Sequence, residues 1–261
     1  MTPLIYMTLP QNLACLTVDE DWAHPAVLSD LCRLLDERSL QATFFCTQPD
    51  VKVPGHERGL HPNFRRNGDT LRRFHKEVNP HSEEVEDTRI YQYVVETTRG
   101  YCPEAKGVRG HSLHYDSELM AIYHQAGIEY DSSCCLPLME NLRPVWKEFD
   151  IVEFPIYYID HFDLKSQRTG FELTKLRLDR PGLKVFNFHP NMVFINAQTN
   201  HDYLATKPYY HDYDRLLSFR RPGRGVRTLF LELLDTLAQT PGSTILMGEF
   251  NKLFRQNASA D

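Results

Sequence analysis

Short apolar runs alternate with longer stretches of helical period along most of this chain. Residues 13–18 (LACLTV) have the length and composition of a buried strand. Residues 25–38 then place Val27, Leu28, Leu31, Leu34 and Leu35 on one helical face, with Pro25 in the first turn, where a missing N–H loses no bond. Residues 42–46 (ATFFC) predict a second strand and 58–61 a short third. A helix over 88–98 leads to a strand end at 107–109, and Asp116 is placed to cap a helix that runs to Gln125 and stops before Gly127. Further strands are predicted at 128–131, 151–154, 183–188 and 244–247. A helix over 226–239 carries Phe230, Leu233, Leu234 and Leu237 as a core-facing stripe.

Strands that alternate with helices predict parallel βαβ units, and seven or eight of them in 261 residues predict a barrel or a large open sheet in a single α/β domain, 1–261. The stretch from about 191 to 225 shows neither period, yet it is rich in aromatics. Loops of that length are usually functional, so it reads as a lid-like insertion or substrate wall.

Composition narrows the partners. A net charge of -6 argues against nucleic acid, because phosphate binding needs a basic field; the basic cluster Arg220, Arg221, Arg224 reads as a loop. No apolar run approaches the roughly 20 residues of a membrane span. The first residues lack the basic and apolar regions of a signal peptide, so a cytoplasmic location is expected. Six cysteines at irregular spacing, without a CxxC, suit reduced and mostly buried thiols.

The polar residues fall at strand ends, where α/β barrels gather their chemistry. Asp19, Glu20 and Asp21 follow the first strand, His61 the third, Arg109 and His111 the next, and His189 follows Phe186-Asn187-Phe188. Three adjacent carboxylates repel one another unless a cation intervenes. Carboxylates and histidines converging on one rim make a site for a borderline divalent ion such as zinc. Alternation along an extended chain puts Asp19 and Asp21 on one side and Glu20 on the other. Beyond the acids, Trp22 and His24 stand where they can shape a pocket, while His201 and His211 read as exposed loop residues.

The order of the segments 17–21 (TVDED), 42–45 (ATFF), 57–64 (ERGLHPNF), 108–112 (VRGHS) and 186–190 (FNFHP) resembles the polysaccharide deacetylase family, over about 13–247. The resemblance implies a distorted (β/α) barrel that binds one divalent metal, most often zinc, and hydrolyses an N-acyl group from a sugar. It implies Asp19 as catalytic base, Asp21 and His61 as metal ligands, Arg109 as the group that holds the base, and His189 as general acid. The family's second histidine, four residues after the first, is Arg65 here; His111 is the replacement candidate, with His56, His24 and His114 as others. Trp22, Asn63, Tyr158 and Asp160 are candidate substrate contacts.

The implied reaction removes acetyl or formyl from an amino sugar of O-antigen or capsule synthesis, carried as a free, nucleotide-linked or lipid-linked saccharide. This chain resembles a divergent branch of the family. Two alternatives keep the fold: hydrolysis of a small non-sugar amide or imide, or sugar binding without catalysis. A nucleophilic hydrolase lacks its GxSxG.

Overall fold

The computed structural model describes residues 12–78 and 87–258. Nine strands form one sheet: β1 (Ala14–Asp19), β2 (Thr43–Cys46), β3 (Glu57–Leu60), β4 (Gly107–Val108), β5 (Tyr130–Asp131), β6 (Val145–Trp146), β7 (Val152–Glu153), β8 (Ile156–Ile159) and β9 (Lys184–Phe188). Their order is β6-β7-β5-β4-β3-β2-β1-β9-β8, parallel throughout except for β6 against β7. The sheet curls into a half-barrel, the distorted α/β barrel that the sequence predicts. The curl is stitched across its gap. Beyond β5 the chain lays Cys134–Leu136 against β8, with Ile156 N–H donating to the Cys134 carbonyl (2.7 Å) and Leu136 N–H to that of Ile156 (2.9 Å).

Buried residues all along β1 and β9, two neighbouring strands paired on both edges, explain why their segments read as continuous runs. The helix Pro25–Asp36 is capped by His24, whose Nδ1 accepts the N–H of Ala26, and it buries the predicted face from Val27 to Leu35. Asp116 caps Ser117–Gln125 as expected, and Gly127 takes the left-handed conformation (φ 72°) just beyond it.

Three expectations change. The predicted strand at 244–247 is a single bridge from Thr244 to Ala14, because Met247 already begins the helix Met247–Ala258. β8 was hidden by Pro155, which a strand tolerates at its entry because no ladder donor is needed there. The aperiodic 191–225 stretch contains helices, Pro190–Phe194, Asn200–Thr206 and Tyr213–Ser218. Each spans fewer than about two turns, too short for a 3.6-residue pattern to register. The first residues, read above for a signal peptide, lie outside the described residues. Among the described residues, no helix is long and apolar enough to cross a membrane.

Candidate active site

Asp19 ends β1 inside the curl, and the partners of both its oxygens are fixed. Arg109, fully buried, donates from Nη1 to Asp19 Oδ1 (2.9 Å) and to Thr17 Oγ1 (2.9 Å). Its other nitrogens are anchored on Ser132, Nε to the carbonyl and Nη2 to Oγ, each at 2.8 Å. The Phe45 ring lies under the guanidinium, 4.3 Å from its centroid. Asn187 Nδ2 donates to Asp19 Oδ2 at 2.8 Å. Burial alone would raise the Asp19 carboxyl, but Arg109, then His61 and His189, hold it below the usual carboxylate range.

Glu20 points away from the site, though by a different route from simple alternation. It is a buried peg that accepts from Thr47 N–H (3.1 Å), Thr47 Oγ1 (2.6 Å) and Gln48. Asp21 and Trp22 then turn through the left-handed region (φ 48° and 56°), with Trp22 N–H bonded to Thr47 Oγ1. That turn, rather than strand pleating, swings Asp21 back over the barrel mouth.

There Asp21 meets two histidines. His61 follows β3, and His111 opens a 3₁₀ turn, His111–Leu113, in which Ser112 and Leu113 are both left-handed. Gly110 makes that turn possible: a Cβ on it would sit 2.3 Å from the His114 carbonyl oxygen. The donor atoms form a near-equilateral triangle. Asp21 Oδ1 to His111 Nδ1 is 3.1 Å, His111 Nδ1 to His61 Nε2 is 3.2 Å, and His61 Nε2 to Asp21 Oδ1 is 3.3 Å. Donors about 2.0–2.1 Å from a tetrahedral ion stand about 3.3–3.4 Å apart, so the set fits a zinc-like cation. The groups behind the ligands fit too. His61 Nδ1 lies 2.7 Å from the Arg109 carbonyl, which makes Nδ1 the protonated nitrogen and turns the Nε2 lone pair into the triangle. Burial raises the Asp21 carboxyl, but the neighbouring His111 and His61 rings hold it well below its ordinary value. The other candidate histidines are committed elsewhere. His24 caps a helix, His56 accepts the Ala42 N–H beside Phe44, and His114 stacks on Phe64 and Tyr91.

His189 closes the site from β9, with Nε2 3.8 Å from Asp19 Oδ2 and from Asp21 Oδ2. Its Nδ1 is 2.6 Å from Asp160 Oδ1, and its backbone N–H donates to Asp160 Oδ2 (2.8 Å). Burial would lower this imidazole, yet the Asp160 carboxylate beside it, with Asp21 and Asp19, raises it to about 9. A cavity of about 510 Å³ opens over these groups. Trp22 stands in its wall, edge-on to His111 at 5.3 Å between ring centroids, and Tyr203 and Tyr210 enter it from the aromatic stretch. Asn63, Tyr158 and Asp160 do not line it. Asn63 holds its own turn by accepting the Arg65 N–H, Tyr158 donates to Asp163, and Asp160 stands behind His189.

Thr17, Ser132 and Asn187 escaped the reading of strand ends because they lie within or beside apolar runs. Thr17 shares the parity of Asp19 along β1 and is in register with Asn187 on β9, so a polar residue two before an acid was the available signal.

The sequence profile of the family described as WbmS-like polysaccharide deacetylase matches residues 16–207. A search of curated proteins finds no match. The fold is shared with a protein of Bordetella bronchiseptica assigned as a polysaccharide deacetylase involved in O-antigen biosynthesis. That comparison has a TM-score of 0.72 and 24% identity, over 87% of this chain and 91% of the other. A protein of Mycobacterium smegmatis assigned as a polysaccharide deacetylase aligns at a TM-score of 0.56 and 13% identity, over 96% of this chain and 93% of that one. The profile spans well over half of the chain, and the chain therefore belongs to the WbmS-like polysaccharide deacetylase family.

Proposed function

We propose that this protein is a metal-dependent hydrolase that removes an N-acyl group, acetyl or formyl, from an amino sugar destined for a cell-surface polysaccharide such as O-antigen or capsule. One observation carries the reading: a three-donor metal triangle shares a cavity with a carboxylate held ionised and an imidazole held protonated. Asp21, His61 and His111 would hold a divalent cation such as zinc, which would supply polarisation of the acyl oxygen and a more acidic water. Asp19, fixed by Arg109 and Asn187, accepts the proton that water loses as its oxygen attacks the acyl carbon. His189, fixed at Nδ1 by Asp160, delivers its Nε2 proton to the sugar nitrogen as the C–N bond breaks, so the amine leaves neutral. Trp22 offers an aromatic edge to the sugar, and Asn63 and Tyr158 support the wall from behind. All six cysteines are free thiols and four are buried, which suits a reducing cytoplasm.

Elemental analysis of wild type, His61→Ala and His111→Ala, beside an assay for acetate and formate release from N-acyl amino sugars, tests this. About one equivalent of zinc in wild type, lost in both variants together with hydrolysis, is expected. A reconstituted wild type that holds no ion overturns the reading.

A further inference from the structure

The two carboxylates that line the cavity are both at its floor and both engaged, Asp19 by Arg109 and Asn187, Asp21 by His61 and His111. The rim carries the opposite charge. Arg65 beyond β3, Lys165 in the helix Asp160–Ser166, and Lys207 just after the helix Asn200–Thr206 reach it from three separate segments. All three are exposed, and none is paired with a carboxylate among the described residues. Arg65 is steadied by the Ser112 hydroxyl (2.6 Å), and the Lys207 ammonium lies 5.3 Å from the Tyr203 ring centroid. In a chain of net charge -6, three unpaired cations around one opening are a local departure. The two lysines are felt inward: His161, in the cavity wall, is pushed down to about 4 by burial, by His189 and by Lys165, with Lys207 adding to it.

Lys165 is also a divide. On its far side lies a second cavity of about 340 Å³, which shares Ile159, Phe162 and Lys165 with the first and is walled mainly by apolar and aromatic residues such as Pro137, Leu138 and Tyr157, with Arg168 among its lining. A ligand spanning both places its sugar on the floor, a negative charge at the lysines, and an apolar or aromatic body beyond them.

Given that the first cavity holds an acylated amino sugar, the reading proposed above, we infer that the sugar arrives joined through phosphate or diphosphate to an apolar or aromatic carrier, with Lys165 and Lys207 binding the phosphate and the adjoining cavity the carrier. A nucleoside diphosphate and an isoprenyl diphosphate share this chemistry.

Calorimetric titration of the full-length, ion-loaded protein separates the possibilities. Four probes suffice: methyl N-acetylglucosaminide, N-acetylglucosamine 1-phosphate, the uridine diphosphate sugar, and the same sugar on a short isoprenyl diphosphate. The phosphorylated probes are expected to bind about tenfold or more tighter than the neutral glycoside at low salt, and the gap should shrink steeply as salt screens the rim. In the double variant Lys165→Glu/Lys207→Glu the gap should close; both side chains are exposed, so the fold is not at risk. Whichever diphosphate gains most over the 1-phosphate identifies the carrier. Charged probes that bind no better than the neutral one overturn the inference, as does a preference that survives in the double variant. Binding is read without turnover. A charge preference in a protein that hydrolyses no acyl sugar therefore keeps this inference and defeats the earlier reading, whereas hydrolysis with equal KM for neutral and phosphorylated sugars does the reverse.

Discussion

Two pairs of acids, all buried but the half-buried Asp21, stand at strand ends in this barrel, and their surroundings have made them different objects. Asp19 and Asp21 face Arg109, His61, His111 and His189, with the Asn187 amide as a further donor, and both carboxyls are held below their ordinary range despite burial. Asp131 and Glu153, paired in register across β5 and β7, share one cation, Lys147, at 2.7 and 3.0 Å. Burial and the neighbouring Asp131 push Glu153 up to about 7 in spite of that lysine. Position at a rim is common to both pairs; the supply of positive charge and N–H donors is not. The first pair is equipped for chemistry. The second is a brace: Asp131 accepts from Ser133 Oγ (2.6 Å), which accepts the Gly110 N–H (3.0 Å) between Arg109 and His111.

The sharpest way to break the contrast is to remove the groups proposed to carry the reaction. Asp19→Asn and His189→Ala should each lower kcat by about 10²–10⁴-fold in a deacylation assay. Asp19→Asn should keep the bound ion, which separates loss of the base from loss of the ligands. Arg109→Met strands a buried carboxylate and should cost about 3–5 kcal/mol, seen as a fall in Tm of about 10 °C or more by calorimetry, along with most activity.

Asp160→Asn acts through another residue and should cost less, about 10- to 100-fold in kcat. The signature is the pH profile. In the proposed mechanism His189 must be protonated, and it is raised to about 9, so activity should persist up to that region in wild type. The alkaline limb should move to lower pH in the variant; an unmoved limb would remove Asp160 from this role.

The smallest effect sharpens the second pair. A carboxyl raised from 4.5 in the unfolded chain to about 7 in the fold binds more proton when folded, so its contribution falls as pH rises between those values. Glu153→Gln should flatten this part of the Tm profile between about pH 5 and 7, leaving the profile outside that window little changed in slope.

Much of this was legible in the chain. Asp19, Asp21, His61, Arg109, His111 and His189 each stand within three residues of the last apolar residue of a strand, so period and polarity marked them together. The second acid pair was not legible, because Asp131 and Glu153 are 22 positions apart and meet only through register. Asp160 drew notice as a polar residue after two tyrosines, but its service to His189 depends on β8 lying beside β9, an adjacency no local pattern encodes. The short helices beyond His189 were invisible for want of turns, and Asp21 reached its place through a left-handed turn that the pleat argument did not contain.

Arg109 has a consequence for how such a protein can change. Its guanidinium ties β1 to the segment beyond β5 over the Phe45 ring of β2, and the same group holds the Asp19 carboxylate. In most enzymes stability can be gained by changes remote from the residues that limit activity. In the proposed mechanism the fastening of β1 and the orienting group of the base are one side chain, so stability and rate should rise and fall together at this position. A chain freed from that chemistry should tolerate the loss of His189 or His111 and still fold, while Arg109 stays required by the carboxylate it buries.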